Sequence, residues 1–190
     1  MATAKTGSFY LTETVQLAAT LTDGDRVQGS IDLGAYVNVA TGQAVAIESV
    51  DFVYQVGDDY GQAGIEMLTQ SGAISAQLTD LNPGTAFVRA DDQSLIASGS
   101  LNMSLTDSLT NETMNILTHQ SDIYPDNFGP TSLSEAFLVV NDTLYLVAGP
   151  DAADIKNDTV YVTARIKCRV AKLSSKDWMA IAIQSTASDN

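Results

Sequence analysis

Polar and apolar residues alternate with period two over the first fifty positions, which is the signature of β-strands that bury one face. Phe9, Leu11, Val15, Leu17, Ala19 and Leu21 hold the odd positions and Thr12, Thr14, Gln16, Thr20 and Thr22 the even ones; Glu13 alone breaks the apolar file. Asp23-Gly24-Asp25 supplies turn chemistry, and the alternation resumes with Val27, Ile31, Leu33, Ala35, Val37 and Val39 against Arg26, Gln28, Ser30, Asp32 and Asn38. Together, Ser8 to Val39 predict a long hairpin. A third strand runs from Val45 to Val56, with Val50, Phe52, Tyr54 and Val56 on one face and Val45, Ile47, Ser49, Asp51 and Val53 on the other. Apolar residues on both faces predict a central position in a sheet.

The middle of the chain is less regular. Gly57-Asp58-Asp59-Tyr60-Gly61 reads as a loop, and Gln62 to Thr69 as one or two helical turns. Short apolar pieces follow at Ile74 to Leu78, Ala86 to Arg89 and Leu95 to Leu105, and the Ser/Thr/Asn-rich tract from Asn102 to Thr118 reads as a strand pair or a long surface loop. Pro125, Gly129 and Pro130 mark a break. Beyond it, Ala136 to Val140 and Leu144 to Val147 flank the tight-turn candidate Asn141-Asp142, and Gly149 to Asp158 is a loop. From Thr159 the alternation is close to ideal: Val160, Val162, Ala164, Ile166, Cys168 and Val170 face one way, Tyr161, Thr163, Arg165, Lys167 and Arg169 the other. Trp178 to Gln184 then predicts a final strand. The whole predicts an all-β chain, a single jelly-roll barrel or sandwich of about eight strands over residues 1–190.

Composition narrows the function more than the fold. The chain has 190 residues, with 9 Lys+Arg against 23 Asp+Glu and one His, a formal charge of −14 at pH 7. With 45% hydrophobic and only 17% charged residues it is not an acidic disordered tail. A pI near 4.1 argues against binding nucleic acid or anionic membrane surfaces, because both require clustered Lys and Arg. The charge is uneven: residues 1–155 hold 20 acids and three bases (Lys5, Arg26, Arg89), or −17, whereas residues 156–190 hold three acids and six bases, or +3. Scarce Lys and abundant Ala, Thr, Ser and Gly point to a surface suited to high salt. Met-Ala-Thr-Ala-Lys lacks the pattern of a secretory leader, and no apolar run approaches the roughly 20 residues of a membrane span.

Enzyme signatures are absent from the sequence, and the chain is expected not to be an enzyme and to need no cofactor or metal. It has no phosphate-binding Gly-x-x-x-x-Gly-Lys loop, no Gly-x-Ser-x-Gly elbow and no Gly-x-Gly-x-x-Gly turn. His119 is the sole imidazole, and nothing near it resembles a nucleophile turn. Asp23-Gly24-Asp25 and the loop with Asp151, Asp154 and Asp158 carry oxygen ligands but do not match the EF-hand spacing. The residues singled out instead are Arg165, Lys167 and Arg169, which recur about every 7 Å along one strand face. Such a file reads either as an edge or surface strand guarded against mispairing or as a contact stripe for an acidic neighbouring subunit. Cys168 lies on the opposite, apolar face, as a buried thiol or, if that face meets a partner, as one half of an inter-subunit disulfide.

The N-terminal pair Ser8 to Val39, the segment Leu144-Tyr145-Leu146-Val147, the strand Thr159 to Val170 and the closing Trp178-Met179-Ala180-Ile181-Ala182-Ile183 together resemble a known family. This is the smaller major capsid protein of vertical single β-barrel, icosahedral, internal-membrane viruses of halophilic archaea, and the likeness spans essentially the full length. The resemblance implies a virion shell subunit. It would stand upright and assemble with copies of itself and a larger single-barrel major capsid protein into pseudo-hexameric capsomers over a lipid membrane, with penton or spike proteins as further partners. A shell separated from its genome by a membrane needs no basic arm, and this chain has none. Reversing Arg165, Lys167 and Arg169 to Glu is then expected to impair co-assembly with little effect on folding. Two other classes share the β pattern. An extracellular filament or surface-adhesion module would carry an export signal or donor strand, and a small carbohydrate- or calcium-binding sandwich would cluster its aromatics on one face.

Overall fold

The structure, a computed structural model, describes residues 3–4, 6–57, 67–106, 115–124 and 136–186. Within them the chain forms β1 (Thr3–Ala4), β2 (Phe9–Leu17), β3 (Val27–Asp32), β4 (Gln43–Val56), β5 (Gly72–Thr79), β6 (Leu95–Thr106), β7 (Asn115–Tyr124), β8 (Phe137–Val139), β9 (Thr143–Asp151) and β10 (Val160–Lys172), and closes with helix α1 (Ser175–Thr186). Eight of these strands are six residues or longer. The expected all-β sandwich of about that many strands is the observed class. One sheet runs β2-β10-β4-β8, with β1 continuing the β2 edge along the far end of β10; the other runs β3-β9-β5-β6-β7. All pairings are antiparallel.

The alternation selects which residues face inward. Val160, Val162, Ala164, Ile166 and Cys168 of β10, Val15 and Leu17 of β2, and Ile74, Ala76 and Leu78 of β5 all lie in one continuous core between the sheets. Two glycines let the layers approach. A side chain on Gly29 of β3 would strike Glu13 Oε1 at 2.6 Å and Val15 at 2.9 Å, so the acid that interrupts the apolar file of β2 is accommodated over a residue without one. Gly99 of β6 admits the ring of Phe52 in the same way, with 2.8 Å to the nearest ring carbon from a Cβ placed there.

Two expected elements take another form. Ser8 to Val39 is not a hairpin, because β2 pairs with β10 in one sheet and β3 with β9 in the other. Period-two alternation specifies a buried face but not the partner, and here the connection crosses from sheet to sheet. Trp178 to Gln184 is not a strand but part of α1. Trp178, Ile181 and Ala182, at helical spacing, pack over Ala44, Val140 and Leu173. Ser174 caps the helix: its hydroxyl accepts from the Asp177 N–H at 3.2 Å and its carbonyl from the Trp178 N–H at 2.9 Å.

The Val45 to Val56 segment carries both a correction and its cause. Val45 and Ile47 share the inward face with Val50, Phe52, Tyr54 and Val56, because the pairing of β4 with β10 slips by one residue between Ile47 and Ser49. Glu48 is the extra residue of this β-bulge. The tract from Asn102 contains a strand pair, β6 with β7, whose intervening residues 107–114 lie outside the described ones. So do most of the helical turns expected at Gln62 to Thr69, the Asp58-Asp59 pair and the break at Pro125, Gly129 and Pro130.

Candidate functional site

The outward face of β10 holds the three bases, and β10 is an inner strand flanked by β2 and β4 rather than an edge. It therefore needs no protection against mispairing, and its outward charges require another explanation. Arg165 is exposed. It stands between Thr12 of β2 and Asp51 of β4, with its guanidinium 5.3 Å from the centre of the Tyr10 ring. Beside it, Thr14 and Thr163 share a hydroxyl hydrogen bond of 2.8 Å. Tyr10, Thr12, Thr14 and Gln16 are all exposed, so this part of the sheet presents an uncovered surface within the chain.

Lys167 and Arg169 are committed inside the molecule. Both converge on Glu48, which is only 5% exposed. Arg169 donates from Nε and Nη2 to Glu48 Oε1, Lys167 Nζ lies 3.3 Å from Oε2, and the Ser8 hydroxyl donates to both oxygens at 3.1 and 3.0 Å. The bulge explains the geometry. Doubling one residue at Glu48 opposite β10 directs its carboxylate toward the bases and buries it there, where it is satisfied by charge-assisted hydrogen bonds. Two of the three like charges are thus held by one carboxylate. The −17 and +3 segments of the chain are interleaved in space, since β10 lies between strands of the acidic part.

Cys168 is fully buried in the inter-sheet core, and burial pushes its thiol up to about 12. The condition for an inter-subunit disulfide, that this face meets a partner, is not met. The face meets the second sheet.

The acidic loops come together, but on backbone and arginine rather than around a shared centre. Asp154 Oδ1 accepts the Asp23 N–H at 2.8 Å, and Asp23 Oδ1 accepts the N–H of Ala152 at 2.7 Å, holding that residue at its positive φ of 63°. Asp25 accepts from the N–H and hydroxyl of Thr22, both at 2.9 Å, and these bonds hold its carboxyl below the usual aspartate range. Arg26 binds Asp151 and the Pro150 carbonyl and lies 4.5 Å over the Phe87 ring. Asp158 is exposed. Among the described residues no three His, Cys, Asp or Glu side chains are placed to hold a metal ion. His119 falls in β7, opposite Asn102.

The sequence reading did not single out Glu48 or Asp80, the acids most buried among the described residues. For Glu48 a signal existed in the phase change of the alternation between Ile47 and Val50. Asp80 ends β5 in a turn and leaves no pattern. No protein-family model matches the chain, and no curated protein is detectably similar to it.

Proposed function

We propose that the chain is a structural virion shell subunit. It is read as a single jelly roll standing upright, which joins copies of itself and a larger single-barrel partner in pseudo-hexameric capsomers over an internal lipid membrane. The observation that carries this reading is the strand order. Side by side, β2, β10, β4 and β8 face β3, β9, β5 and β6, with β7 added at the edge beyond β6, so the early strands are interleaved with the late ones as in two Greek keys rolled together. Jelly rolls serve in viral shells, lectins and cupins. With one imidazole in the chain, the metal-binding member of that set has little to draw on.

Assembly is then a matter of surfaces. An excess of carboxylates keeps subunits soluble and mutually repelling until salt shortens the range of repulsion to about 3 Å at 1 M, leaving close contacts to act. The exposed face with Tyr10, Arg165 and the threonines offers a cation, an aromatic and small hydroxyls to a neighbour. Electron microscopy of the expressed chain, alone and with candidate partner subunits in high salt, tests the reading. Ordered capsomers or sheets support it; fibres favour a filament subunit; a monomer under all these conditions overturns it.

A further inference from the structure

The β2 edge of the first sheet is open. β2 pairs with β10 on one side, and among the described residues no backbone group of Phe9–Leu17 has a hydrogen-bond partner on the other. The strand is nine residues long, about 30 Å at the usual rise, and it holds no lysine and no proline. Its pairing with β10 runs from Phe9 to Leu17 without a bulge. Shortness, lysine, proline and bulges are common means of keeping an edge from accepting another strand, and β2 uses none of them. It carries one other device, an inward-pointing charge. Glu13 sits half-buried in the inward file between Leu11 and Val15, with its carboxylate over Gly29 of β3. β3 is the edge of the second sheet, so Glu13 stands at the open side of the sandwich, beside the position of an added strand. Among the described residues this carboxylate makes no hydrogen bond and no ion pair.

An acid at that place sorts the strands that could be added. A second copy of β2, aligned antiparallel over its whole length, sets Glu13 against Glu13, and like charges directly opposite in a sheet are destabilising. A base opposite Glu13 instead forms a charged cross-strand pair and supplies the partner the carboxylate lacks. We propose that the outer edge of β2 accepts an extended segment of a different protein, apolar at its inward positions and with a lysine or arginine opposite Glu13. Main-chain hydrogen bonds along the edge supply the affinity, and the pair at Glu13 selects the partner and disfavours self-pairing. The apolar residues of the added strand extend the layer of Phe9, Leu11 and Val15, while Tyr10, Thr12, Thr14 and Gln16 stay on the outer face. This edge is independent of the shell reading and stands or falls separately.

The test is an NMR titration of the whole protein at pH 7.5 and 0.15 M salt with three end-blocked nonapeptides that alternate valine inward and threonine outward. The first carries lysine at the central inward position and the second glutamate there. The third keeps valine there and carries its lysine at an outward position, so its charge equals that of the first. The first peptide is expected to shift the β2 amides, slow their hydrogen exchange and bind about tenfold more tightly than the third, the effect of one charged pair; the second is expected to bind most weakly. Glu13→Gln is expected to bring the first and third peptides to equal affinity while the shifts in β2 remain. If that variant does not fold, the order of the three peptides on the unaltered protein carries the test. Equal affinities for all three, shifts confined to the β3 or β7 edge, absence of saturable binding, or an undiminished lysine preference in Glu13→Gln overturns the proposal. So does sedimentation showing a dimer with protected β2 amides, because a second copy brings an acid to Glu13 and not a base.

Discussion

Glu48 and Asp80 are both nearly inaccessible carboxylates, yet their surroundings give them opposite consequences. Glu48 is surrounded by donors on Arg169, Lys167 and Ser8, so removing it leaves two bases facing each other with a part-buried guanidinium unpaired. Glu48→Ala is expected to destabilise the chain by about 3 kcal/mol, read from urea unfolding, as for other broken buried pairs. Asp80 lacks such partners. Burial pushes its carboxyl up to about 6, well above the usual aspartate range. The folded state therefore takes up the proton first, so the stabilisation linked to protonation is complete below about pH 4 and is lost as pH rises through 6. Asp80→Asn keeps the bond to Asn141 without the charge. It is expected to raise stability by about 1–2 kcal/mol at pH 7.5 and to confer no gain at pH 4, with thermal unfolding at the two pH values as the check.

At the scale of elements, α1 shows how a short apolar run is decided by its ends and its neighbour. Trp178-Met179-Ala180-Ile181-Ala182-Ile183 fits a two-residue and a helical period about equally well, and such runs are ambiguous by pattern alone. Ser174 and Asp177, spaced as at a capped helix start, were the available signal. The docking surface of Leu138, Val140 and Leu173 then favours the helical face over the strand. Met179 and Ile183 are left outward at 61% and 63% exposure. Ser174→Ala is expected to cost about 1 kcal/mol in thermal or urea unfolding, with α1 fraying at its N-terminus while the sheets persist. The bulge in β4 is the converse case. There the break in alternation was legible between Ile47 and Val50, but reading it as two apolar faces missed the local slip that turns Glu48 onto the bases of β10.

For the whole molecule, the charge that the proposed shell role would use for assembly has to be separated from the charge that maintains the fold. Reversing Arg165, Lys167 and Arg169 together would disturb both, since two of them hold Glu48. Arg165→Glu alone is expected to leave the unfolding free energy within the range of ordinary surface changes, about 0.5 kcal/mol, while reducing capsomer yield in high salt if the proposed shell role holds. Arg169→Glu is expected to unfold the chain more readily before assembly is in question; urea titrations beside sedimentation of the two variants check the pair. How much of this could be read beforehand follows from the range of each interaction. Alternation is a local property, and it determined the strands of β2, β4, β9 and β10, the inward residues of β2 and β10 including Cys168, and the all-β class, while composition determined the acidic excess. Which strand lies beside which is not local, because every period-two segment has the same edges to offer. Only the tertiary structure decided that β2 and β3 part to opposite sheets and that β10 lies inside its sheet. Only there does one buried glutamate neutralise bases more than a hundred residues away, and a single aspartate oxygen become enclosed without a hydrogen-bond partner. Those outcomes depend on the desolvation of particular charges in a packed interior, which appears only when distant segments have been brought together.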